Sequence, residues 1–213
     1  MPVSGYTKFG VGLDEAAKRD HIQAAAKKVF GRVGYHHASV KEIISEAGIS
    51  RRTFYTYFRS KEDVLIQLVD TFIEEVKRTK ELETPDELQS TTEVRDQVRR
   101  LAWALVEVIL KNRELIKPLF EGMVLDDDVL TPRSENLLKI FQTFIREYLE
   151  AAQAKGFAHE GDAELISGML LGMYMETVRK YIIKQKRPPL DRLVKEILAL
   201  LERGLLKPGP TPS

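Results

Sequence analysis

Apolar residues recur along most of this chain at intervals of three and four, the spacing that places side chains on one face of an α-helix. The first such stretch runs from Ile22 to Val33 and stops before Gly34, and the last runs from Leu190 to Leu205. Sustained alternation of apolar and polar residues, the mark of a half-buried strand, is not evident. The pattern predicts an all-α protein with about nine helices.

Two of the predicted helices are short and closely spaced. Ser39 and Glu42 form a capping-box pattern, in which each side chain satisfies a free backbone N–H at a helix start. That helix ends at Gly48, and Ser50 is a second N-cap that opens a helix to about Tyr57. Two short helices joined by a tight glycine turn predict a helix-turn-helix, whose second helix is free to enter a DNA major groove.

The rest of the chain predicts a second helical block after a linker over residues 81–92, where Pro85 disfavours continuous helix. Residues 101–106 are apolar almost all round, which predicts a central, buried helix. Pro118 is expected to kink or end a short helix, and residues 126–132 to form a loop. Asp162 is expected to cap a long helix.

Composition narrows the class of protein. The chain has 213 residues, of which 43% are hydrophobic, enough for one large domain or two small ones with a buried core. It contains no cysteine, which excludes disulfides, thiol catalysis and cysteine-based metal sites. No apolar run approaches the ~18 residues of a membrane helix, and the N-terminus lacks an apolar signal core. These features predict a cytoplasmic protein.

Charge is unevenly distributed along the chain. Residues 1–61 hold 11 Lys and Arg against 5 Asp and Glu, a formal charge of +6, whereas residues 62–213 carry −5. Such an imbalance also arises by chance among solvated helices. A basic head containing a helix-turn-helix nevertheless favours nucleic acid as its partner.

The second short helix carries the chemistry for reading DNA. Arg51, Arg52 and Tyr55 fall within about 100° of arc at 3.6 residues per turn. Both arginines lie in the first turn, where recognition helices reach base edges and Arg can bind guanine O6 and N7 together. Thr53, Tyr57 and Lys61 offer hydroxyls and a charge suited to phosphates. Phe54 and Phe58, spaced i, i+4, are expected in the core.

The stretch from Ile22 to Leu65 resembles the DNA-binding head of tetracycline-repressor-like (TetR/AcrR) transcriptional regulators. The run from Thr53 to Glu62, T-F-Y-x-Y-F-x-S-K-E, is its most specific part. By position, the resemblance implies base contacts from Arg51, Arg52, Tyr55 and Lys41. It implies phosphate contacts from Ser39, Thr53, Tyr57 and Lys61. Ala38 departs from the family pattern, which often has Thr there, and this removes one possible hydroxyl contact.

The resemblance also implies a homodimer that binds a palindromic operator and is released by an effector. The expected division is a flexible arm (1–12), a helix-turn-helix domain (13–60), an effector-binding and dimerisation domain (61–206) and a disordered tail (207–213). Gly168 and Gly172, one turn apart, permit close helix packing. With the leucine-rich last helix, the helix that carries these glycines could form a four-helix bundle with a second copy, as the resemblance implies, or an intramolecular core. The dimer-interface residues expected from the resemblance are Gly168, Gly172, Leu193, Ile197 and Leu201.

The second domain is rich in methionine and aromatic side chains, which adapt to varied apolar ligands. The candidate effector-pocket residues are Trp103, Glu107, Phe120, Met123, Phe141, Phe144, Tyr148, Met169, Met173 and Tyr174. The same side chains also suit an ordinary core. Glu107, like Glu176, lies in an apolar stretch, where it would be exposed, ion-paired or bound to a cationic ligand.

Other functions receive less support from the residues. No zinc-protease motif, phosphate-binding glycine loop or nucleophile with a base is present, so an enzyme is not expected. His36 and His37 lack further ligands at metal spacing, so neither a metal nor a cofactor is predicted. The alternative is a ligand-independent regulator or adaptor whose second domain binds a protein. An open apolar cavity would favour the sensor over the adaptor.

Overall fold

A computed structural model describes residues 14–81, 83, 85, 88–125, 127–185 and 187–208, without the side chains of 122–125. The expected all-α fold is confirmed. A π-helical segment, Val178–Ile183, directly follows the α-helix Ala163–Thr177. Nine α-helices form within the described residues: α1 (Glu15–Val33), α2 (Val40–Ala47), α3 (Arg51–Tyr57), α4 (Lys61–Lys80), α5 (Thr91–Lys111), α6 (Arg113–Leu125), α7 (Leu130–Ala154), α8 (Ala163–Thr177) and α9 (Leu190–Gly204).

The chain divides into two compact units. The first comprises residues up to Thr71 together with Arg113–Thr131, and the second comprises Phe72–Asn112 and the residues from Pro132 onward. The boundary falls inside α4, so this helix contributes to both units. The functional division predicted between residues 60 and 61 stays a prediction. The predicted arm (1–12) and residues 209–213 of the predicted tail lie outside the described residues.

The predicted helix starts in the first unit form as expected. The Ser39 hydroxyl oxygen accepts from the Glu42 N–H at 3.3 Å, and the Glu42 carboxylate accepts from the Ser39 N–H at 2.9 Å, completing the capping box. At the start of α3, the Ser50 hydroxyl accepts from the Thr53 N–H at 3.0 Å. These local bonds satisfy backbone donors that a short helix would otherwise leave to water.

Apolar side chains from four helices form the core of the first unit. Ile22 of α1, Ile43 of α2, Phe54 of α3 and Val64 of α4 are completely buried. The Phe54 ring lies 5.9 Å from the ring of Phe58, which is also buried. The expectation that both phenylalanines belong to the core is confirmed. Because the inward face of α3 is anchored in this way, its opposite face is fixed in direction.

In the second unit, residues of α5 and α7 share a buried cluster that includes Leu101, Tyr148 and Ala152. The Tyr148 hydroxyl donates to Oε1 of Gln97 inside this cluster, so a buried phenol has an acceptor. Among the described residues, extended structure is limited to one isolated antiparallel pairing of Ala158 with Leu206. No described helix is long and apolar enough to cross a membrane.

Two features predicted around α6 differ in the structure. Pro118 lies inside α6, which continues to Leu125. Proline removes one backbone hydrogen bond, but Leu115 and Leu119 on the same helix are buried, and this packing favours continuity. The predicted loop over 126–132 is also shorter, because α7 begins at Leu130. Pro132 falls in the first turn of α7, where helix N–H groups have no intrahelical partner and proline is tolerated.

The prediction of a central, buried helix over residues 101–106 is wrong in part. Leu101 is buried, but residues 102–106 are only half-buried. Three of them, Ala102, Leu105 and Val106, line a cavity within the second unit. This apolar segment of α5 therefore contributes Leu101 to the core and other side chains to the wall of a cavity.

Candidate nucleic-acid interface

The outward face of α3 carries the three side chains predicted to read bases. Arg51 and Arg52 are exposed, and Tyr55 is 46% exposed, which is unusual for a large aromatic side chain. The Arg51 guanidinium lies over the Tyr55 ring, 5.6 Å from its centroid. This cation–π contact favours one arrangement of the two side chains, and the exposed guanidinium carries N–H donors suited to an acceptor outside the protein.

The turn before α3 depends on glycine. Gly48 has φ 63° and ψ 33°, a left-handed conformation that costs other residues conformational energy. Its N–H donates to the Ser45 carbonyl at 3.3 Å, and the next N–H, from Ile49, reaches the Ile44 carbonyl at 3.2 Å. These bonds end α2 and set the direction in which α3 begins.

Arg19 of α1 contacts the C-terminal end of α3, a role that was not predicted from the sequence. One Nη donates to the Gln67 side-chain oxygen at 2.8 Å and approaches the Tyr57 carbonyl at 3.4 Å. Its guanidinium also lies 5.4 Å from the centroid of the Phe58 ring. Arg19 therefore satisfies a carbonyl at the C-terminus of α3. Arg19 and Tyr57 are 38 positions apart in the sequence, so no short-range motif predicts this contact.

Lys61 was predicted to contact a DNA phosphate, but in the structure its ammonium binds backbone carbonyl groups of the protein itself. Its ammonium donates to the carbonyl oxygens of Tyr35, His36 and Ala38, at 3.1, 3.1 and 3.0 Å. It also lies 4.8 Å from the Tyr35 ring centroid. A lysine has three N–H donors, and all three are used inside the protein. The phosphate contact stays a prediction, but the contacts observed fix the loop that leads into α2.

The other residues predicted to contact DNA differ in exposure and in whether their polar atoms already form hydrogen bonds within the protein. The Ser39 hydroxyl donates to Glu42 Oε2 at 2.7 Å, and this bond with the backbone bond of the capping box holds the pKa of Glu42 below its usual value. The Thr53 hydroxyl lies 2.8 Å from the Ser50 hydroxyl. Lys41 is exposed and Tyr57 is half-buried. These four phosphate or base contacts stay predictions.

The loop before α2 is tied to α4 and α6 within the first unit. The Tyr35 hydroxyl donates to Glu62 at 3.4 Å, and His36 Nε2 lies 3.3 Å from a carboxylate oxygen of Glu121. Burial and then the charge of Glu62 raise the pKa of Tyr35, so its phenol stays protonated. The loop therefore rests on several side chains rather than on the capping box alone.

In the second unit, two apolar cavities lie along α5 and α9. One, of about 160 Å³, is lined by Tyr174 among others, and the other, of about 110 Å³, is lined by Tyr148. Two further predicted pocket residues pack against these tyrosines. The ring centroid of Phe141 lies 5.9 Å from that of Tyr174, and the ring centroid of Phe144 lies 5.2 Å from that of Tyr148. Effector binding by these residues stays a prediction.

The other predicted pocket residues lie elsewhere. Met169 is 64% exposed on α8 and Glu107 is exposed on α5, whereas Trp103 and Met173 are half-buried. Phe120 belongs to the first unit, and the side chain of Met123 lies outside the described part of the chain. Glu176 is exposed and pairs with Arg179 at 2.6 Å.

The predicted dimer residues fall into two groups. On α8, Gly172 is exposed and Gly168 is half-buried, beside Leu165 and Met169, which are 58% and 64% exposed. On α9, the three predicted leucine and isoleucine side chains line the larger cavity within the unit; they are Leu193, Ile197 and Leu201. The α8 face is therefore the more open apolar surface of the two.

No group of three or more His, Asp or Glu side chains that could hold a metal ion occurs among the described residues. What the fold and the outward face of α3 define is a helix-turn-helix DNA-binding regulator. Residues 22–68 match the tetR family of bacterial regulatory proteins, and residues 86–204 match the C-terminal region of YsiA-like proteins. The chain belongs to the tetR family, whose members are transcriptional regulators.

Several relatives match over nearly their whole length. The HTH-type transcriptional regulator YdgC of Bacillus subtilis is 28% identical over 192 residues, covering 90% of this chain and 94% of that protein. The fatty acid metabolism regulator protein of the same organism is 28% identical over 187 residues, covering 85% and 92%. The solved structure of the fatty acid degradation regulator FadR from Bacillus halodurans is 27% identical with a TM-score of 0.72, covering 90% and 98%.

Proposed function

We propose that this regulator is a homodimeric repressor that binds a two-fold symmetric operator and is released by a small, largely apolar effector. The observation that carries the proposal is the pair of exposed arginines in the first turn of α3, held outward by the buried Phe54. Arg51 and Arg52 read guanines in the major groove, with Tyr55 beside them, while Lys41 adds a contact from α2.

A single α3 helix reads few base pairs, which supports a dimer. Two copies would present their α3 helices to half-sites about 34 Å apart, one helical turn of DNA. The exposed apolar face of α8, with Leu165 and Met169, is the surface we assign to self-association. An apolar surface of this kind on a protein that binds a symmetric site fits an isologous interface.

The apolar cavities of the second unit support a sensor of small molecules rather than an adaptor for a protein. Two of the relatives are named for fatty acid metabolism or degradation. We propose that this chain likewise controls genes of fatty acid metabolism and that its effector is an apolar compound from that chemistry. Such a repressor acts on chromosomal DNA, which places it in the cytoplasm.

Effector binding would lower operator affinity only through a difference in affinity between two states of the protein. We propose that α4, which contributes to both units, transmits the change. Equal operator affinity with and without a ligand that binds the second unit would contradict this coupling.

The operator proposal is tested by selecting binding sites from a random duplex pool with the purified dimer. We expect a two-fold symmetric sequence, lost in the double variant Arg51→Ala, Arg52→Ala. A matched control, Arg192→Ala with Arg203→Ala, removes the same charge from exposed positions on α9 and should retain the site. If folded dimer enriches no sequence at low salt, even after unfolding, removal of copurified ligand and refolding, the proposal is wrong.

The sign of regulation needs a separate measurement. A reporter gene placed behind the selected operator should be expressed at a low level when the regulator is present and at a high level when its gene is deleted. Lower expression after deletion would make the protein an activator instead.

A further inference from the structure

The larger cavity of the second unit is almost entirely lined by carbon. It has a volume of about 160 Å³ and lies between α5, the end of α8 with its π-helical segment, and α9. Its lining includes Val98, Ile109, Ile182 and Leu193. An engineered cavity of roughly 150 Å³ with a similar apolar lining stays dry and binds benzene. The cavity here is partly open to solvent, but its volume and apolar lining suit an apolar body of about the size of benzene.

Two residues with hydroxyl groups, Tyr174 and Thr177, line this cavity, and they differ in their hydrogen bonds. Thr177 donates to the Met173 carbonyl at 2.9 Å, so its proton is used within the helix. No hydrogen bond to the Tyr174 hydroxyl is formed by any described residue. Burial raises the pKa of Tyr174, so its phenol keeps its proton. Tyr174 is half-buried, so its O–H is accessible, and no described residue competes with a ligand for it.

The charge of the lining limits the ligand further. All fourteen side chains that line the cavity are uncharged. Burying a carboxylate without a cationic partner is strongly unfavourable. An acceptor for the Tyr174 O–H must accordingly be neutral, such as the oxygen of a ketone, an ester or a thioester.

We propose that this cavity binds an apolar compound with one neutral oxygen acceptor, which accepts a hydrogen bond from Tyr174. This inference rests on the proposed function, because it names the chemical class that the second unit binds. Val98 and Leu201 also line the smaller cavity, of about 110 Å³, and so separate the two spaces. A ligand longer than the larger cavity must displace one of these side chains.

The inference is tested with three probes of equal chain length: 2-heptanone, heptane and heptanoate. Calorimetric titration of the DNA-free wild-type dimer should show 2-heptanone binding about three- to tenfold more tightly than heptane, the range expected for one net hydrogen bond. Heptanoate should bind more weakly than 2-heptanone. Tyr174→Phe should lose the preference for 2-heptanone and keep the affinity for heptane.

Two further variants locate the site. Tyr181→Phe removes a hydroxyl from the same helical segment, but Tyr181 does not line the cavity, so the ketone preference should persist. Ala102→Leu places three more carbon atoms in the cavity and should abolish binding of every probe in a protein that still unfolds cooperatively. If wild type binds no probe, or if Tyr174→Phe leaves the affinity for 2-heptanone unchanged, the inference is overturned.

Operator release is measured separately, which distinguishes the two proposals. Probes that bind through Tyr174 without weakening operator binding would support the cavity and contradict its role as the effector site. A compound that releases the operator from wild type and from Tyr174→Phe at the same concentration would support effector control and contradict the cavity assignment.

Discussion

Lys61 shows how a single residue can combine structural and binding roles that the sequence does not separate. A lysine one turn beyond a recognition helix is well placed for a phosphate, yet its ammonium is held by three carbonyl groups of the 35–38 loop. Hydrogen bonds to a charged group are stronger than those between neutral groups. The observed geometry therefore predicts that the main effect of Lys61 is on the stability of the head.

Changing Lys61 to Met keeps the aliphatic stem and removes all three hydrogen bonds. We expect the free energy of unfolding to fall by about 2 kcal/mol, because three carbonyl oxygens lose a charged donor. Urea denaturation measures this change, and Lys41→Met, at an exposed lysine, should change stability by less than about 0.5 kcal/mol.

The same pair of variants separates the structural from the phosphate role. If Lys61 contacts DNA only through the loop that it holds, Lys61→Met leaves the salt dependence of operator binding unchanged in a folded dimer. Loss of a phosphate contact from each protomer would instead reduce the slope of log K against log salt by about two. Unchanged stability in Lys61→Met would contradict the structural role.

At the scale of the element, α2 depends on its capping box. Ser39→Ala removes the acceptor for the Glu42 N–H, and we expect the free energy of unfolding to fall by about 1 kcal/mol at neutral pH. Because the pKa of Glu42 is lowered in the folded state, the ionised carboxylate stabilises the fold above its unfolded pKa of 4.5. This contribution is lost as pH falls through the folded pKa.

The difference in stability between wild type and Ser39→Ala should therefore narrow as pH falls below 4.5. Urea denaturation at a series of pH values measures the trend. Ser45→Ala, an exposed serine in the interior of the same helix, provides the control and should be neutral or slightly stabilising, since alanine is the better helix former. A difference that stays constant from pH 7 to pH 3 would show that Glu42 does not stabilise the cap.

The turn between α2 and α3 makes a second prediction at this scale. A Cβ at Gly48 would meet no atom within 4 Å, so the cost of Gly48→Ala is conformational alone. We expect a loss of about 1 kcal/mol in unfolding free energy. Gly48→Asn should lose less, because asparagine adopts the left-handed conformation more readily. Equal losses for both variants would point to a steric cause instead.

These short elements could be predicted from sequence because their signals are local. The capping box at Ser39, the cap at Ser50 and the glycine at 48 each lie within four residues of the groups they serve. Arg19 could not be found in this way, since its partners belong to helices distant along the chain. Continuation of α6 through Pro118 likewise depends on tertiary packing, which offsets the lost backbone bond.

For the whole molecule, the all-α fold could be predicted from helical periodicity, but the effector pocket could not be assigned by residue type. Aromatic and methionine side chains are divided between core, surface and cavity. Met169 is 64% exposed on α8, whereas Tyr174, five residues later on the same helix, is half-buried and lines the larger cavity. The π-helical segment, in which Val178 and Ile182 line the larger cavity, has no sequence signal of its own. Composition therefore identifies an apolar domain without indicating where its cavities lie.

The dimer gives a prediction that involves DNA and protein together. If two heads neutralise on the order of 6–8 phosphates, log K should fall with log salt at a slope of about −5 to −7. Met169 is 64% exposed on the α8 face that we assign to self-association. Met169→Glu places two buried carboxylates, one from each protomer, at that interface, which is unfavourable. We expect sedimentation to show a monomer at micromolar concentration.

A monomer presents one head, so its salt slope should fall to about half that of the dimer, and its affinity for a two-fold site should approach its affinity for one half-site. Met169→Leu, which conserves volume and apolar character, should remain dimeric and keep the full slope. If Met169→Glu sediments as a dimer and retains the full slope, the α8 face around Met169 is not the interface. If it sediments as a monomer with the full slope, one head alone makes the phosphate contacts and the two-head arrangement is wrong.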